Sequence, residues 1–188
     1  KFSMFDGEVL SGSRWLDMQN GYTVRKVLWK APNGKEAEIE IRRMTSFSHL
    51  QLFVIDYQVT PVNFSGEVRI ESEHQGNVRN YCNPNDPRVA GESFQHLIPD
   101  HGTVVNGASY LVTNTATSGL QVCTGVKNTI SADEVQNGEI VLEGHHAVQK
   151  FTVSAKQGEA IRFVKYMVFA DSIRYEDVQE AAQDEMEA

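Results

Sequence analysis

The sequence predicts an all-β fold, an antiparallel β-sandwich followed by one C-terminal helix. Residues 37–42 and 67–71 alternate apolar and charged side chains, the period-two pattern of a strand with one buried and one solvated face. Residues 50–59 and 161–169 carry bulky side chains on both faces, which is typical of strands covered on two sides. Many short strands separated by turn signals indicate a sandwich or a barrel.

Nine segments of the chain have the composition of strands. In chain order they are residues 23–30, 37–42, 50–59, 67–71, 110–115, 120–127, 139–143, 148–154 and 161–169. Turn signals separate many of them, and each contains a residue that tolerates positive φ: Asn20-Gly21, Pro32-Asn33-Gly34, Ser65-Gly66, Ser118-Gly119, Asn137-Gly138 and Gln157-Gly158. We therefore expect neighbouring strands to pair in antiparallel fashion.

Residues 75–107 interrupt this pattern. They include three of the five prolines, Pro84, Pro87 and Pro99, together with four glycines and five asparagines, and they show little alternation. An irregular segment of that length inside a compact domain is usually functional or is held by a partner. The sequence therefore predicts a long functional loop here.

The last residues favour a helix, because Val178, Ala181, Ala182 and Met186 fall at helical spacing and Ser172 can serve as its N-cap. From residue 171 onward seven acidic residues stand against one basic residue, a net charge of −6 out of −8 for the whole chain. This helix ends without Gly, Pro or a basic last turn, which indicates that it continues into a longer protein. A natural acidic tail is the alternative.

Charge and cysteine content exclude several classes of partner. No basic stripe compensates a nucleic-acid backbone or an anionic membrane, so we expect neither partner. Cys82 and Cys123 have no metal-ligand spacing and are interpreted as free thiols. No signal peptide or long apolar run is present, which favours a cytoplasmic location.

No local motif for catalysis, metal binding or a cofactor is present. The six histidines lack an HExxH or CxxC context, so we expect no metal and no cofactor. Glu36, Glu38 and Glu40 alternate along a strand and are interpreted as solvated surface rather than as a catalytic pair. Aromatic side chains could form a sugar platform, but Trp29 is interpreted as core.

Several passages of the sequence resemble one known enzyme family. Residues 14–29 are similar to the pattern R-x-LDM-x-x-G-x-x-x-R-x-x-x-W near the front of family 65 glycoside hydrolases, a group with maltose, trehalose and kojibiose phosphorylases. Further likeness covers most of the chain, at residues 32–35, 43–47, 56–66, 75–80 and 115–119. The resemblance implies a supersandwich of the galactose-mutarotase-like type, with further strands ahead of the position matching residues 5–8.

The resemblance also implies that the sandwich and the catalytic centre belong to different domains. In the family, helical linkers and a catalytic (α/α)6 barrel follow the sandwich, so residues 1–171 correspond to the sandwich domain and residues 172–188 to an acidic helix leading toward the linker. The barrel holds the general-acid glutamate and the phosphate site, and it performs inverting phosphorolysis of α-linked disaccharides. The implied partners, a disaccharide and inorganic phosphate, therefore bind through the barrel. A homodimer is compatible with this organisation.

By the same resemblance, the long loop covers the mouth of the barrel. Arg79, Asn80, Tyr81 and Arg88 are then the residues that line the acceptor-sugar side, and none of them is catalytic. Anchoring of the loop is the alternative role for these residues, and we favour it.

Two other functions are compatible with the residues alone. A stand-alone carbohydrate-binding sandwich predicts a groove lined by exposed aromatic side chains. A self-contained epimerase-like or hydrolytic sandwich requires histidine and carboxylate side chains that converge in one pocket. The accessory-domain hypothesis accounts for both the helix and the family likeness, so it is preferred.

Overall fold

The computed structural model describes residues 2–3 and 5–188, and this part of the chain forms eleven strands and one helix. The elements are β1 Glu8–Asp17, β2 Tyr22–Lys30, β3 Glu36–Thr45, β4 Leu52–Pro61, β5 Gly66–Gln75, β6 Leu97–Val105, β7 Ala108–Thr115, β8 Gln121–Ser131, β9 Val135–Glu143, β10 His146–Ala155, β11 Ile161–Asp171 and α1 Val178–Glu187. Strand order is β1-β2-β3-β4-β11-β8-β7-β6 in one sheet and β5-β10-β9 in the other. The predicted antiparallel β-sandwich with a C-terminal helix is confirmed.

The chain divides into two compact units. The first contains Lys1–Glu71, Asn128–Glu139 and Lys150–Tyr166, and the second contains Ser72–Lys127, Ile140–Gln149 and Met167–Ala188. Several strands contribute residues to both, so the units interleave along the sequence.

Trp29 anchors one core cluster of the first unit. It packs with Val27, Ile39 and Ile41, and its side chain is only 8% exposed, which confirms its interpretation as a core residue. The indole Nε1 donates to the backbone oxygen of Asp6 at 2.9 Å, so the polar edge of the ring is satisfied. A second cluster joins Val153, Ala155 and Ile161 to partly buried side chains of other segments: Val68, Ile70, Ile130, Ala132 and Val135.

The centre of the second unit is β7, whose residues Ala108 to Thr113 are all buried. Glycine at position 125 allows the close packing here. A Cβ at Gly125 would lie 2.7 Å from Val168 and 2.9 Å from Tyr110, closer than real Cβ contacts come. The helix α1 packs against β7 and buries Val178 and Ala182.

The structure corrects the extent of the irregular segment. Residues 75–107 were expected to lack regular structure, but β5 runs to Gln75 and β6 begins at Leu97, so residues 76–96 form the loop. Pro99 lies inside β6, an edge strand of its sheet, beside a register shift between Pro99 and His101. A proline is tolerated at such a position because no ladder donor is required there. β1 was also missed, and its residues are exposed along nearly the whole strand.

The prediction that Ser172 is the N-cap of the helix is wrong. Asp177 is the N-cap, and its carboxylate accepts from the backbone N–H groups of Gln179 and Glu180, both at 2.9 Å. Ser172 instead accepts from the backbone N–H of Gln121 at 2.9 Å. An aspartate is favoured at this position because it satisfies free amides and also suits the helix dipole. Among the described residues, no helix is long and apolar enough to cross a membrane.

Candidate functional site: the loop of residues 76–96

Both ends of this loop, which we call the 76–96 loop, are fixed to strands of the second unit. At the front, the backbone N–H of Gly76 donates to the carbonyl oxygen of His145 at 2.8 Å. A Cβ at Gly76 would lie 3.2 Å from both His145 and Leu111, so the glycine permits this close approach. At the rear, the backbone N–H of Ala116 donates to the carbonyl of His96 at 2.9 Å.

Asn80 joins the two limbs of the loop. Its backbone N–H donates to the carbonyl of Phe94 at 3.1 Å, and the Phe94 N–H donates back to the Asn80 side-chain oxygen. The side-chain Nδ2 donates to the carbonyls of Tyr81 at 3.2 Å and Glu92 at 3.4 Å, and Ser93 Oγ donates to the Asn80 carbonyl at 3.3 Å. Because both ends of the amide are occupied by backbone groups, Asn80 anchors the loop.

At the tip of the loop, Arg88 binds Asp86. The guanidinium donates from Nε and Nη2 to the two carboxylate oxygens, each at 2.9 Å, and the backbone N–H of Arg88 donates to Asp86 Oδ1 at 3.0 Å. These hydrogen bonds lower the pKa of Asp86 and raise the pKa of Arg88. The bidentate pair holds the turn and neutralises the charge of Arg88.

Tyr81 and Arg79 are the two predicted lining residues whose side chains are exposed and form no hydrogen bond or ion pair among the described residues. Tyr81 is 75% exposed, and the loop also presents Val78 and Phe94 to solvent. Arg79 is exposed and forms no ion pair within the described ranges. The four residues thus divide into two whose side chains form hydrogen bonds within the loop, Asn80 and Arg88, and two whose side chains face solvent, Arg79 and Tyr81.

Two histidines of the second unit, His74 and His145, are held in place by hydrogen bonds to neighbouring strands. His74 contacts the hydroxyls of Ser109 and Thr124, each at 2.9 Å, and His145 Nε2 lies 3.0 Å from the Val112 carbonyl oxygen. In the part of the chain that the structure describes, no group of three His, Cys, Asp or Glu side chains has metal-binding geometry.

A groove of about 490 Å³ lies in the first unit and is lined by side chains that include Glu67, Asp133, Glu134, Thr152 and Ser154. Its lining contains no aromatic side chain on which a sugar ring could stack. The groove therefore does not fit a carbohydrate-binding module.

Sequence reasoning missed a second exposed surface, in the first unit. Arg14, Arg25 and Arg43 lie on neighbouring strands, and the register places Arg14 directly opposite Arg25. Only the strand register reveals this juxtaposition, because the three arginines are separated by 11 and 18 positions in the sequence.

Fold and loop together define an antiparallel β-sandwich domain with a C-terminal helix. The family model "Glycosyl hydrolase family 65, N-terminal domain" matches residues 1–188. Because the match covers the whole chain, the chain belongs to this family of N-terminal domains.

Relatives with this domain include disaccharide phosphorylases. An alpha,alpha-trehalose phosphorylase of Thermoanaerobacter brockii is 28% identical over 178 residues, which are 94% of this chain and 23% of the relative. A kojibiose phosphorylase of Halothermothrix orenii is 26% identical over 172 residues, 89% of this chain and 21% of the relative. The chain thus spans less than a quarter of the length of these relatives.

A solved structure shows the same fold. The "Putative kojibiose phosphorylase from human microbiome" aligns with a TM-score of 0.69 at 12% identity, over 94% of this chain and 23% of that chain. At this identity the likeness supports the fold alone.

Proposed function

We propose that this chain is the non-catalytic, N-terminal accessory domain of a phosphorylase that acts on α-linked disaccharides. The observation that carries the proposal is the family match over residues 1–188, combined with relatives in which this region is less than a quarter of the protein. The chemistry then belongs to the remainder of the longer protein.

The reaction of the whole protein would be inverting phosphorolysis. A phosphate oxygen attacks the anomeric carbon, the glycosidic C–O bond breaks, and a carboxylic acid protonates the departing sugar oxygen. The products are a sugar 1-phosphate of inverted configuration and a free monosaccharide. Disaccharide and inorganic phosphate are thus partners of the longer protein, and we assign none of these steps to residues of this chain.

The contribution of this domain would be to complete the pocket with the 76–96 loop. Asn80 and the Arg88–Asp86 pair hold the loop in one conformation, so that little entropy is lost when it meets a sugar. Tyr81 offers an exposed ring for stacking on a pyranose, and Arg79 offers donors for hydroxyl groups.

Cellular location and assembly are part of the same proposal. Two free cysteines suit a reducing compartment, so we place the protein in the cytoplasm. Burial raises the pKa of the Cys123 thiol to about 12, which makes that residue chemically inert. A homodimer of the longer protein is compatible with this role.

The decisive experiment compares the 188-residue chain with the full-length protein that carries it. Phosphate release or consumption is assayed with trehalose, kojibiose and maltose, and sugar binding is measured by calorimetric titration. We expect turnover by the full-length protein only. Turnover by the 188-residue chain would overturn the proposal, and sugar binding by that chain without turnover would favour a carbohydrate-binding module.

The role of the loop is tested in the full-length protein with Tyr81→Ala and Arg79→Ala. We expect KM for the disaccharide to rise about tenfold for Tyr81→Ala, equivalent to about 1.4 kcal/mol of lost binding, with a smaller change in kcat. Arg69→Ala is the matched control, since Arg69 is exposed on β5 and pairs only with Glu67 in the described structure. An unchanged KM for both loop variants would remove the loop from the pocket.

A further inference from the structure

An unneutralised group of arginines lies on the core face of β1, β2 and β3 in the first unit. Arg14 pairs with Arg25, which pairs with Ile41, which pairs with Tyr57 on β4. The neighbouring row on the same face runs Leu16, Thr23, Arg43 and Ile55. We call the surface formed by Arg14, Leu16, Arg25 and Arg43 the arginine face.

Nothing in the described structure balances these three charges. Arg14, Arg25 and Arg43 form no ion pair within residues 2–3 and 5–188, and like charges opposite one another on a sheet are destabilising. Arg25 is also half-buried, next to Ile41, which raises the cost of leaving its charge uncompensated. The arrangement is therefore unfavourable in the domain by itself.

On the opposite face of the same strands, charged side chains are paired. Glu40 binds Lys26 at 2.6 Å and Arg42 at 2.7 Å, and Asp56 receives both arms of Arg162 at 2.9 Å. Burial raises the pKa of Glu40, but the hydrogen bonds from Lys26 and Arg42 outweigh it and lower the pKa overall. Because side chains alternate between faces, these carboxylates cannot reach the arginine face.

Large apolar side chains continue the arginine face at the adjoining turns. Met18, Phe47 and Leu50 in these turns are 74–88% exposed, and Leu16 on the arginine face is 59% exposed. The two turns lie side by side, since a Cβ at Gly21 would be 3.7 Å from the ring of Phe47. Arginine, methionine and aromatic residues without lysine or glutamate are the composition of a protein interface rather than of free surface.

We propose that the arginine face is the surface through which this domain docks on the catalytic part of its own protein, against an acidic patch with an apolar rim. The proposal rests on the proposed function. Although the chain has a net charge of −8, the three arginines form no ion pair with its described residues, and the relatives contain more than three quarters of their length outside this region. Planar guanidinium groups suit such contacts because they bind carboxylates in bidentate fashion.

Hydroxyl-radical footprinting of the full-length protein tests this docking. We expect Met18 and Phe47 to oxidise at least severalfold more slowly in the wild-type protein than in R14E/R25E/R43E, in which reversed charges repel the acidic patch. Trp29, which is buried in the domain core, must remain protected in the variant, and this separates loss of docking from unfolding. R69E on β5 is the matched charge-reversal control and should leave the protection of Met18 and Phe47 unchanged.

A milder variant, R14Q/R25Q/R43Q, keeps the test valid if the reversed charges prevent folding. It removes repulsion within the domain, so increased oxidation of Met18 and Phe47 must come from weaker docking. Equal oxidation of these residues in wild type and variants would overturn the inference. Protection that disappears on dilution to monomers would also overturn it, because a second copy would then be the occupant. The KM of Tyr81→Ala is independent of this readout, so failure of the docking surface and failure of the loop's role are distinguishable.

Discussion

Arginine side chains have opposite environments in the 76–96 loop and on the arginine face. In the loop, Arg88 lies two residues from Asp86 and both of its donor arms are taken up by that carboxylate. On the arginine face, Arg14 and Arg25 face one another, and the nearby carboxylates lie on the other side of the sheet. The charge of Arg88 is therefore neutralised within the loop, whereas the charges of the arginine face are neutralised only when another surface supplies carboxylates.

The largest expected effect comes from removing the side-chain hydrogen bonds of Asn80, which join the two limbs of the loop. Asn80→Ala deletes hydrogen bonds to Phe94, Glu92 and Tyr81, and we expect local opening of the loop to become easier by about 2–3 kcal/mol. Cys82 is half-buried in this loop, so its alkylation should become faster by the factor that corresponds to this change in the free energy of opening. Cys123 is the internal reference, because burial raises its pKa to about 12 and it should remain unreactive at pH 8. Asn85→Ala, at an exposed position of the loop, should not change the rate.

Neutralising the arginine face should stabilise the domain, whereas removing the Asn80 hydrogen bonds destabilises the loop. In the isolated domain, R14Q/R25Q/R43Q removes repulsion between like charges, and we expect the free energy of unfolding to rise by about 0.5–1 kcal/mol. Urea denaturation at low salt measures this change. Because the gain is electrostatic, it should shrink as salt is added. A destabilised variant would mean that carboxylates already neutralise the face.

Arg42→Gln provides the comparison on the paired side of the sheet. Arg42 is half-exposed and shares Glu40 with Lys26, so the loss should be only about 0.5 kcal/mol, and its sign should be destabilising. Urea titrations of Arg42→Gln and of the triple variant, run side by side, give the sign of the change in the free energy of unfolding for each. Equal signs for Arg42→Gln and R14Q/R25Q/R43Q would contradict the distinction between the two faces.

The smallest expected effect concerns the tip of the loop. Because Arg88 lowers the pKa of Asp86, the pair contributes fully above the unfolded-state value of about 3.9 and loses its contribution as pH falls through the lower folded-state value. An NMR titration of the Asp86 carboxyl carbon should have its midpoint below about 3.9. In Arg88→Gln, the midpoint should move up toward that value. An identical midpoint in both proteins would show that the ion pair is not populated in solution.

Periodicity in the sequence identified most of the strands. The segments 23–30, 37–42 and 161–169 fall inside β2, β3 and β11. Alternation in 37–42 records the burial of one face of β3, whereas bulky side chains along 161–169 record the burial of both faces of β11. β1 was invisible to the same reasoning, since Ser11, Gly12 and Ser13 lie at its centre and the strand is exposed on both faces. Its position depends on pairing with β2, which composition does not encode.

The candidate site was only partly predictable for a related reason. Proline and asparagine content marked the loop, and the family likeness selected Arg79, Asn80, Tyr81 and Arg88. The anchoring role of Asn80 depends on partners 12 to 14 positions away, and the arginine face depends on strand register. The helix boundary failed because Ser172 and Asp177 are both good caps, and only tertiary contact with Gln121 assigns Ser172 elsewhere.

The edge formed by β1 affects how the separated domain can be handled. This ten-residue strand is an outer strand of its sheet, and exposed Val9, Leu10 and Trp15 accompany its free backbone groups. Such an edge is a template for strand addition. β1 has one register shift, between Val9 and Ser11, whereas β6 at the other edge is interrupted by Pro99 as well as by a register shift. Storage lifetime of the purified domain will therefore be limited by sheet extension between molecules, and dilute, low-temperature stocks will outlast concentrated ones.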